Sequence, residues 1–118
     1  MSTTYLVRVF VAGIERRPNL EPDFCCATML SAMQRLAQTA TFHGSAWPYV
    51  DDGKDAYGAL VSFDVGACSP LAGPGESTRL HAALVKAIRG CLPGKPRCLD
   101  VSILDSDRAA WYCGPTDL

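Results

Sequence analysis

The stretch "SAWPYVDDGKDAYGALVSFDV", residues 45–65, holds two apolar runs around Asp52-Gly53, a strong signal for a tight β-turn. It predicts a short strand from Trp47 to Val50, a turn, and a second strand from Tyr57 to Val65. In the longer strand Ala59, Val61, Phe63 and Val65 share one face, while Leu60, Ser62 and Asp64 share the other, the two-residue alternation of a half-buried strand. Pro48 has no N–H to give to a ladder, so the short strand is expected at a sheet edge.

Upstream, "YLVRVFVAGI" (residues 5–14) alternates in the same way, with Tyr5, Val7, Val9 and Val11 on one face and Leu6, Arg8, Phe10 and Ala12 on the other. A charged, proline-containing connection over residues 13–22 follows. Asp23, or alternatively Asn19, is placed to cap a helix. Cys26, Met29, Leu30, Met33, Leu36, Ala37 and Ala40 recur at helical spacing, and Gly44 is expected to end that helix. Downstream, "GACSPLAGPGES" (residues 66–77) reads as a loop. A second helix is expected from about Ser77, with Leu80, Leu84, Ala87, Ile88 and Cys91 as its buried stripe and Gly90 near its end. A last strand runs from Cys98 to Leu104, with Leu99, Val101 and Ile103 inward. The order strand, helix, short strand, strand, helix, strand predicts an α+β, ferredoxin-like βαββαβ two-layer sandwich. Its antiparallel sheet carries two helices on one face, and its second strand lies at an edge, where Pro48 belongs. A single domain is expected over residues 1–105, with residues 106–118 as a C-terminal tail.

The 118 residues suit one core, and 48% hydrophobic with 19% charged residues is a globular composition. A domain of this size buries roughly two-thirds of its unfolded-chain surface. The net charge of −1 offers no long-range attraction for a polyanion. No basic region precedes the first apolar run, Arg8 interrupts it, and no run approaches the ~20 apolar residues of a membrane span. A cytoplasmic protein is expected. On that expectation the six cysteines are mostly reduced thiols, with Cys91 and Cys98, on either side of Pro93-Gly94, the local candidates for a bridge.

The sheet face away from the helices is expected to present Leu6, Arg8, Phe10, Leu60, Ser62, Asp64, Asp100, Ser102 and Leu104. The hexapeptide Val9-Phe10-Val11-Ala12-Gly13-Ile14 resembles the first-strand motif of RNA-recognition motifs, which implies a base-stacking role for Phe10. The partner strand departs from that pattern. Ala59 stands where an aromatic is wanted, Phe63 points into the core, and Asp64 and Asp100 add negative charge where phosphates would lie. Nucleic acid is therefore not the expected partner. Arg8 is instead expected between Asp64 and Asp100 as a cross-strand charge cluster. Leu6, Phe10, Leu60 and Leu104 form an apolar patch of the kind that meets another protein, often a second copy.

Catalytic chemistry is sparse. Cys25, at a helix N-terminus and at the edge of the apolar stripe, is the candidate reactive thiol, because the helix dipole favours thiolate. Cys26, inside the stripe, is expected to be inert. His43 and His81 are isolated, and His81 is expected to sit half-exposed beside the second helix's stripe. No four ligands stand at metal-binding spacing, so no metal, cofactor or catalytic residue is assigned. These readings converge on a small non-enzymatic protein-binding domain working through Leu6, Arg8, Phe10, Leu60 and Leu104, as a homodimer. A phage-type inhibitor of a bacterial defence complex, of the anti-CRISPR kind, is the expected setting. Two alternatives stand beside it: a dimeric α+β barrel enzyme or small-ligand-binding protein with a pocket between two such faces, and an RNA-recognition-like nucleic-acid binder.

Overall fold

In a computed structural model the described residues are 3–15, 22–37, 41–51, 54–65, 74–92, 94–105 and 110–116. They form β1 (Thr3–Glu15), α1 (Pro22–Ala37), β2 (His43–Asp51), β3 (Lys54–Val65), α2 (Glu76–Cys91), β4 (Cys98–Asp105) and β5 (Ala110–Cys113). The fold is α+β: one five-stranded antiparallel sheet in the order β2-β3-β1-β4-β5, with two helices. The sequence reading ended the sheet at β4, so a four-stranded ferredoxin-like sheet is not the one observed. Trp111 and its neighbours pair with Ser102–Asp105 and extend the sheet by one edge strand.

The inward rows follow the alternation read from the sequence. Tyr5, Val7, Val9 and Val11 on β1, Ala59, Val61, Phe63 and Val65 on β3, and Leu99, Val101 and Ile103 on β4 are all buried, in one cluster with residues of both helices. Each such valine, leucine or isoleucine side chain contributes about 1.5–3 kcal/mol relative to exposure. β2 occupies the sheet edge, with Pro48 opposite Tyr57.

Element boundaries depart from the sequence reading in three places. β1 runs past Gly13, whose φ of 78° marks a register shift between Val11 and Ile14, and the shift delivers Ile14 into the core. α1 is described as far as Ala37, Thr41 and Phe42 already lie outside it so that it does not reach Gly44, and β2 begins at His43, longer than the Trp47–Val50 expected. Gly44 is a strand residue facing Val61, where an added Cβ would collide with the Val61 side chain. α2 continues through Gly90 to Cys91, and Leu92 turns the chain into extended backbone. It carries no side-chain cap; Gly75 begins it in the left-handed region, and Glu76 occupies its first turn. The Asp52-Gly53 turn, the side chain of Asp23, Asn19, Ala40, the loop over residues 66–73, Cys68 and Pro93 lie outside the described residues.

Candidate functional site: the open sheet face

Antiparallel register places every residue named for the open face on it. Across the strands, Trp47, Gly58, Phe10 and Asp100 form one row; Ser45, Leu60, Arg8, Ser102 and Cys113 form the next; His43, Ser62, Leu6, Leu104 and Trp111 form a third. Leu6, Arg8, Phe10, Leu60 and Leu104 are thus brought together over three central strands. Five large hydrophobic side chains are exposed among the described residues, and four of them, Phe10, Trp47, Leu60 and Trp111, belong to this face. The fifth, Phe24, lies on α1.

Trp47 and Trp111 are the residues that sequence reasoning missed. Trp47 lies over Gly58, where an added Cβ would meet the indole at 2.8 Å, so the missing side chain is what lets the ring approach the sheet. Beside it Phe10, Leu60 and Arg8 line a shallow depression of about 200 Å³. Trp111 arrives on β5 and receives the Arg8 guanidinium 4.7 Å above its ring. This corrects the expected charge cluster. Leu60 and Ser102, rather than Asp64 and Asp100, are the cross-strand partners of Arg8, while Asp64 accepts a 2.6 Å hydrogen bond from Thr4 opposite it. A cation over indole contributes about 0.5–1 kcal/mol at an exposed site, enough to orient a long side chain.

Ser102 was expected to face solvent but is buried, because β5 covers it and brings the Cys113 thiol within 3.3 Å of its hydroxyl. His81 is likewise not half-exposed. It is 1% exposed, its Nε2 lies 2.9 Å from the Val101 carbonyl and 3.2 Å from the Gly114 amide, and Tyr112 packs edge-on against its ring. Arg89, about two turns further along α2, donates from Nε at 2.8 Å and also from Nη2 to the Thr116 carbonyl. The chain after β5 is therefore tied back to α2 at two points.

The remaining chemical candidates resolve simply. Cys25 is buried, because it shares a helical face with Met29 and Ala32, so it does not present an accessible thiol. Cys91 and Cys98 are free thiols rather than a bridge, and burial pushes the Cys91 thiol above its ordinary range. Among the described residues no three His, Cys, Asp or Glu side chains are grouped to hold a metal. No helix among them is long and apolar enough to cross a membrane. At the start of α2 the Tyr5 hydroxyl donates to Glu76 Oε2 at 2.5 Å. Burial first, and this bond second, hold the phenol well above its usual range, while a hydrogen bond with Ser77 acts in the opposite direction.

No protein-family model matches the chain, and no curated protein matches it. Among solved structures it is similar to a phage SAM lyase in its apo state, with a TM-score of 0.51 at 15% identity over 98% of this chain and 92% of that one. It is also similar to the de novo designed protein Foldit4, with a TM-score of 0.49 at 10% identity over 87% of this chain and 96% of the design. At these identities the likeness concerns the fold.

Proposed function

We propose that this chain is a small protein-binding domain whose working surface is the open sheet face, and that a second copy occupies it. The underlying arrangement is a ferredoxin-like βαββαβ core extended by β5. The observation that carries the reading is the gathering of Phe10, Trp47, Leu60 and Trp111 on one uncovered face. Contiguous apolar surface of this kind marks an interaction site. The face also holds both charge signs, Arg8 beside Phe10 and Asp100 across from it, and a two-fold pairing that set Arg8 of one copy against Asp100 of the other would be self-complementary. In the cytoplasm, such a homodimer acts as a phage-type inhibitor that occludes a surface of a bacterial defence complex. Its near-neutral charge suits blocking a protein better than imitating DNA.

Size-exclusion chromatography with light scattering tests the reading. The wild type is expected to run as a dimer, and Phe10→Glu with Leu60→Glu as a folded monomer that has lost partner capture. A monomeric wild type sinks the homodimer. Partner capture that survives both substitutions moves recognition to the helices or the loop before α2.

A second reading is supported by the depression beside Phe10 and by the near full-length likeness to a phage SAM lyase. In it, two open faces enclose a small ligand as in a dimeric α+β barrel, and that ligand is SAM. Incubation with SAM, followed by chromatography of the nucleoside products, is the test. Intact SAM together with no calorimetric binding removes this reading and leaves the first untouched.

A further inference from the structure

We infer that His81 is an acid-sensitive latch: a proton taken up by its ring loosens the C-terminal segment, residues 110–116, from the sheet. The inference goes beyond the open face as a binding surface and does not depend on what covers that face.

The β4–β5 ladder sets the position of the latch. Its last pair is Ser102 with Cys113, and the next in register would set Val101 against Gly114. There the ring of His81 intervenes, with Nε2 2.9 Å from the Val101 carbonyl and 3.2 Å from the Gly114 amide. One nitrogen from α2 thus meets an acceptor on β4 and a donor on the segment after β5. It stands in for a ladder bond. Unlike a peptide group, it changes its hydrogen-bonding character between pH 5 and 8.

Each protonation state fastens differently. A neutral ring with its proton on Nδ1 keeps a lone pair on Nε2, which accepts from the Gly114 amide. A ring protonated at both nitrogens has two donors and no acceptor. It can still donate to the Val101 carbonyl, but the Gly114 N–H then points at another N–H. The new charge also enters a site where the residue is 1% exposed, and an uncompensated buried charge is costly.

No countercharge meets it. From β5 the ring contacts Tyr112, a neutral phenol. From β4 it meets a carbonyl; Asp100 belongs with Cys113 to the opposite sheet face, and Asp105 lies four residues beyond Val101, beside Tyr5. On α2, Glu76 is engaged by the Tyr5 hydroxyl, Arg79 and Lys86 are exposed, and Arg89 is spent on Thr116. Arg35 of α1 is exposed too. Among the described residues no carboxylate bonds to the ring. Opening the segment gives both the ring and the Gly114 amide to water, so the proton binds the open form in preference. The closed form is therefore lost as pH falls through the ordinary imidazole range near 6.5.

The latch reaches the open face through β5. That strand carries Trp111, on which the Arg8 guanidinium rests, and Cys113, which covers the Ser102 hydroxyl. Loosening it frees Arg8 and uncovers Ser102. The Arg89 fork does not titrate in this range, so the segment is loosened by the linkage of one proton and no more.

Hydrogen exchange read by mass spectrometry, as protection factors corrected for the intrinsic rate at each pH, tests the inference. Between about pH 7.5 and about pH 5.5, protection over residues 110–116 is expected to fall about tenfold, while β1 is unchanged. His43→Gln, which leaves His81 as the only histidine, is expected to keep that fall. His81→Gln is expected to abolish it. Flat protection in the wild type overturns the inference, and so does an equal fall over β1. A fall that survives His81→Gln, or vanishes in His43→Gln, also overturns it. Should His81→Gln fail to fold, the His81 ring resonances in the His43→Gln protein decide. They are expected to titrate together with the loss of protection, and a ring that stays neutral throughout that loss sinks the latch.

Discussion

The Gly114 amide lies 3.2 Å from Nε2 of His81, and that nitrogen is the one that also lies 2.9 Å from the Val101 carbonyl. A neutral imidazole nitrogen donates or accepts, not both. With the proton on Nε2 the ring holds β4; with it on Nδ1 the ring holds the segment after β5. His81 is thus a buried joint between α2, the sheet and the C-terminal segment. Substituting Gly114→Ala places a methyl 2.9 Å from both the ring Nδ1 and the Tyr112 hydroxyl. The expected cost is about 1–3 kcal/mol, typical of overpacking a well-filled site, read as a lower urea midpoint. Amide exchange over residues 110–116 should also quicken relative to β1. A Gly114→Ala protein with wild-type midpoint and exchange would show that this joint does not hold the segment.

Arg89 carries the second tie. Its guanidinium edge meets the Thr116 carbonyl with two donors, and a planar fork of that kind is not reproduced by a point charge. Arg89→Lys is therefore expected to behave nearly as Arg89→Ala, each speeding exchange after residue 113 and costing about 1 kcal/mol or less. Full retention of protection in the lysine variant would mean that charge, not geometry, fastens the segment.

How far the fold was legible differs from strand to strand. β1, β3 and β4 each set one apolar row against the helices, and period-two alternation reports that directly. The position of Trp47 was also legible in principle. With a two-residue turn at Asp52-Gly53, Asp51 faces Lys54, and counting back places Trp47 opposite Gly58, on the face of Phe10. Trp111 was not legible, because a four-residue edge strand has too few residues to show a period, and its pairing with Leu104 depends on tertiary contacts. His81 misled for a related reason. Its helical face looked marginal until β5 and Gly114 covered it. Cys25 misled because the apolar stripe of α1 is wider than the residues that first define it, and reaches round to Cys25 and Ala32.

The seat of Trp47 gives another prediction. Gly58→Ala pushes a methyl to 2.8 Å from the indole, which lies at an exposed sheet edge and has room to swing outward. The expected stability change is about 1 kcal/mol or less, since alanine suits a strand better than glycine. In the Trp111→Phe background, the Trp47 emission should shift to the red. An unchanged spectrum would place the ring elsewhere than over Gly58.

Cysteine chemistry should follow exposure rather than helix position. Cys98 and Cys113 are exposed, Cys25 and Cys26 are buried, and Cys91 is half-buried with its thiol donating to the Ile88 carbonyl at 3.2 Å. Brief alkylation of the native protein near neutral pH, mapped by mass spectrometry, is expected to modify Cys98 and Cys113 before these three. Because burial raises the Cys91 pKa, its labelling should lag until pH passes above the ordinary thiol range of about 8.5. Early modification of Cys25 would restore the reactive-thiol reading.

Alkaline titration reports on Tyr5 and Glu76. Folding favours the protonated phenol, because the ring is buried and its hydroxyl donates to a carboxylate. The folded-state pKa is therefore raised above the unfolded value near 10, so the stability tied to this proton is fully present below about pH 10. It is lost as pH climbs toward the folded value, at up to about 1.4 kcal/mol per pH unit. Tyr5→Phe removes the proton and the hydrogen bond together. At neutral pH it is expected to cost about 1 kcal/mol, while its stability should fall less steeply than wild type above pH 10. Lysines and the other tyrosines titrate in both proteins, so the difference between the two slopes isolates this pair. Urea midpoints collected from about pH 9 to about pH 11 measure it. Parallel slopes would show that the Tyr5 hydroxyl ionises as freely in the folded protein as in the unfolded chain.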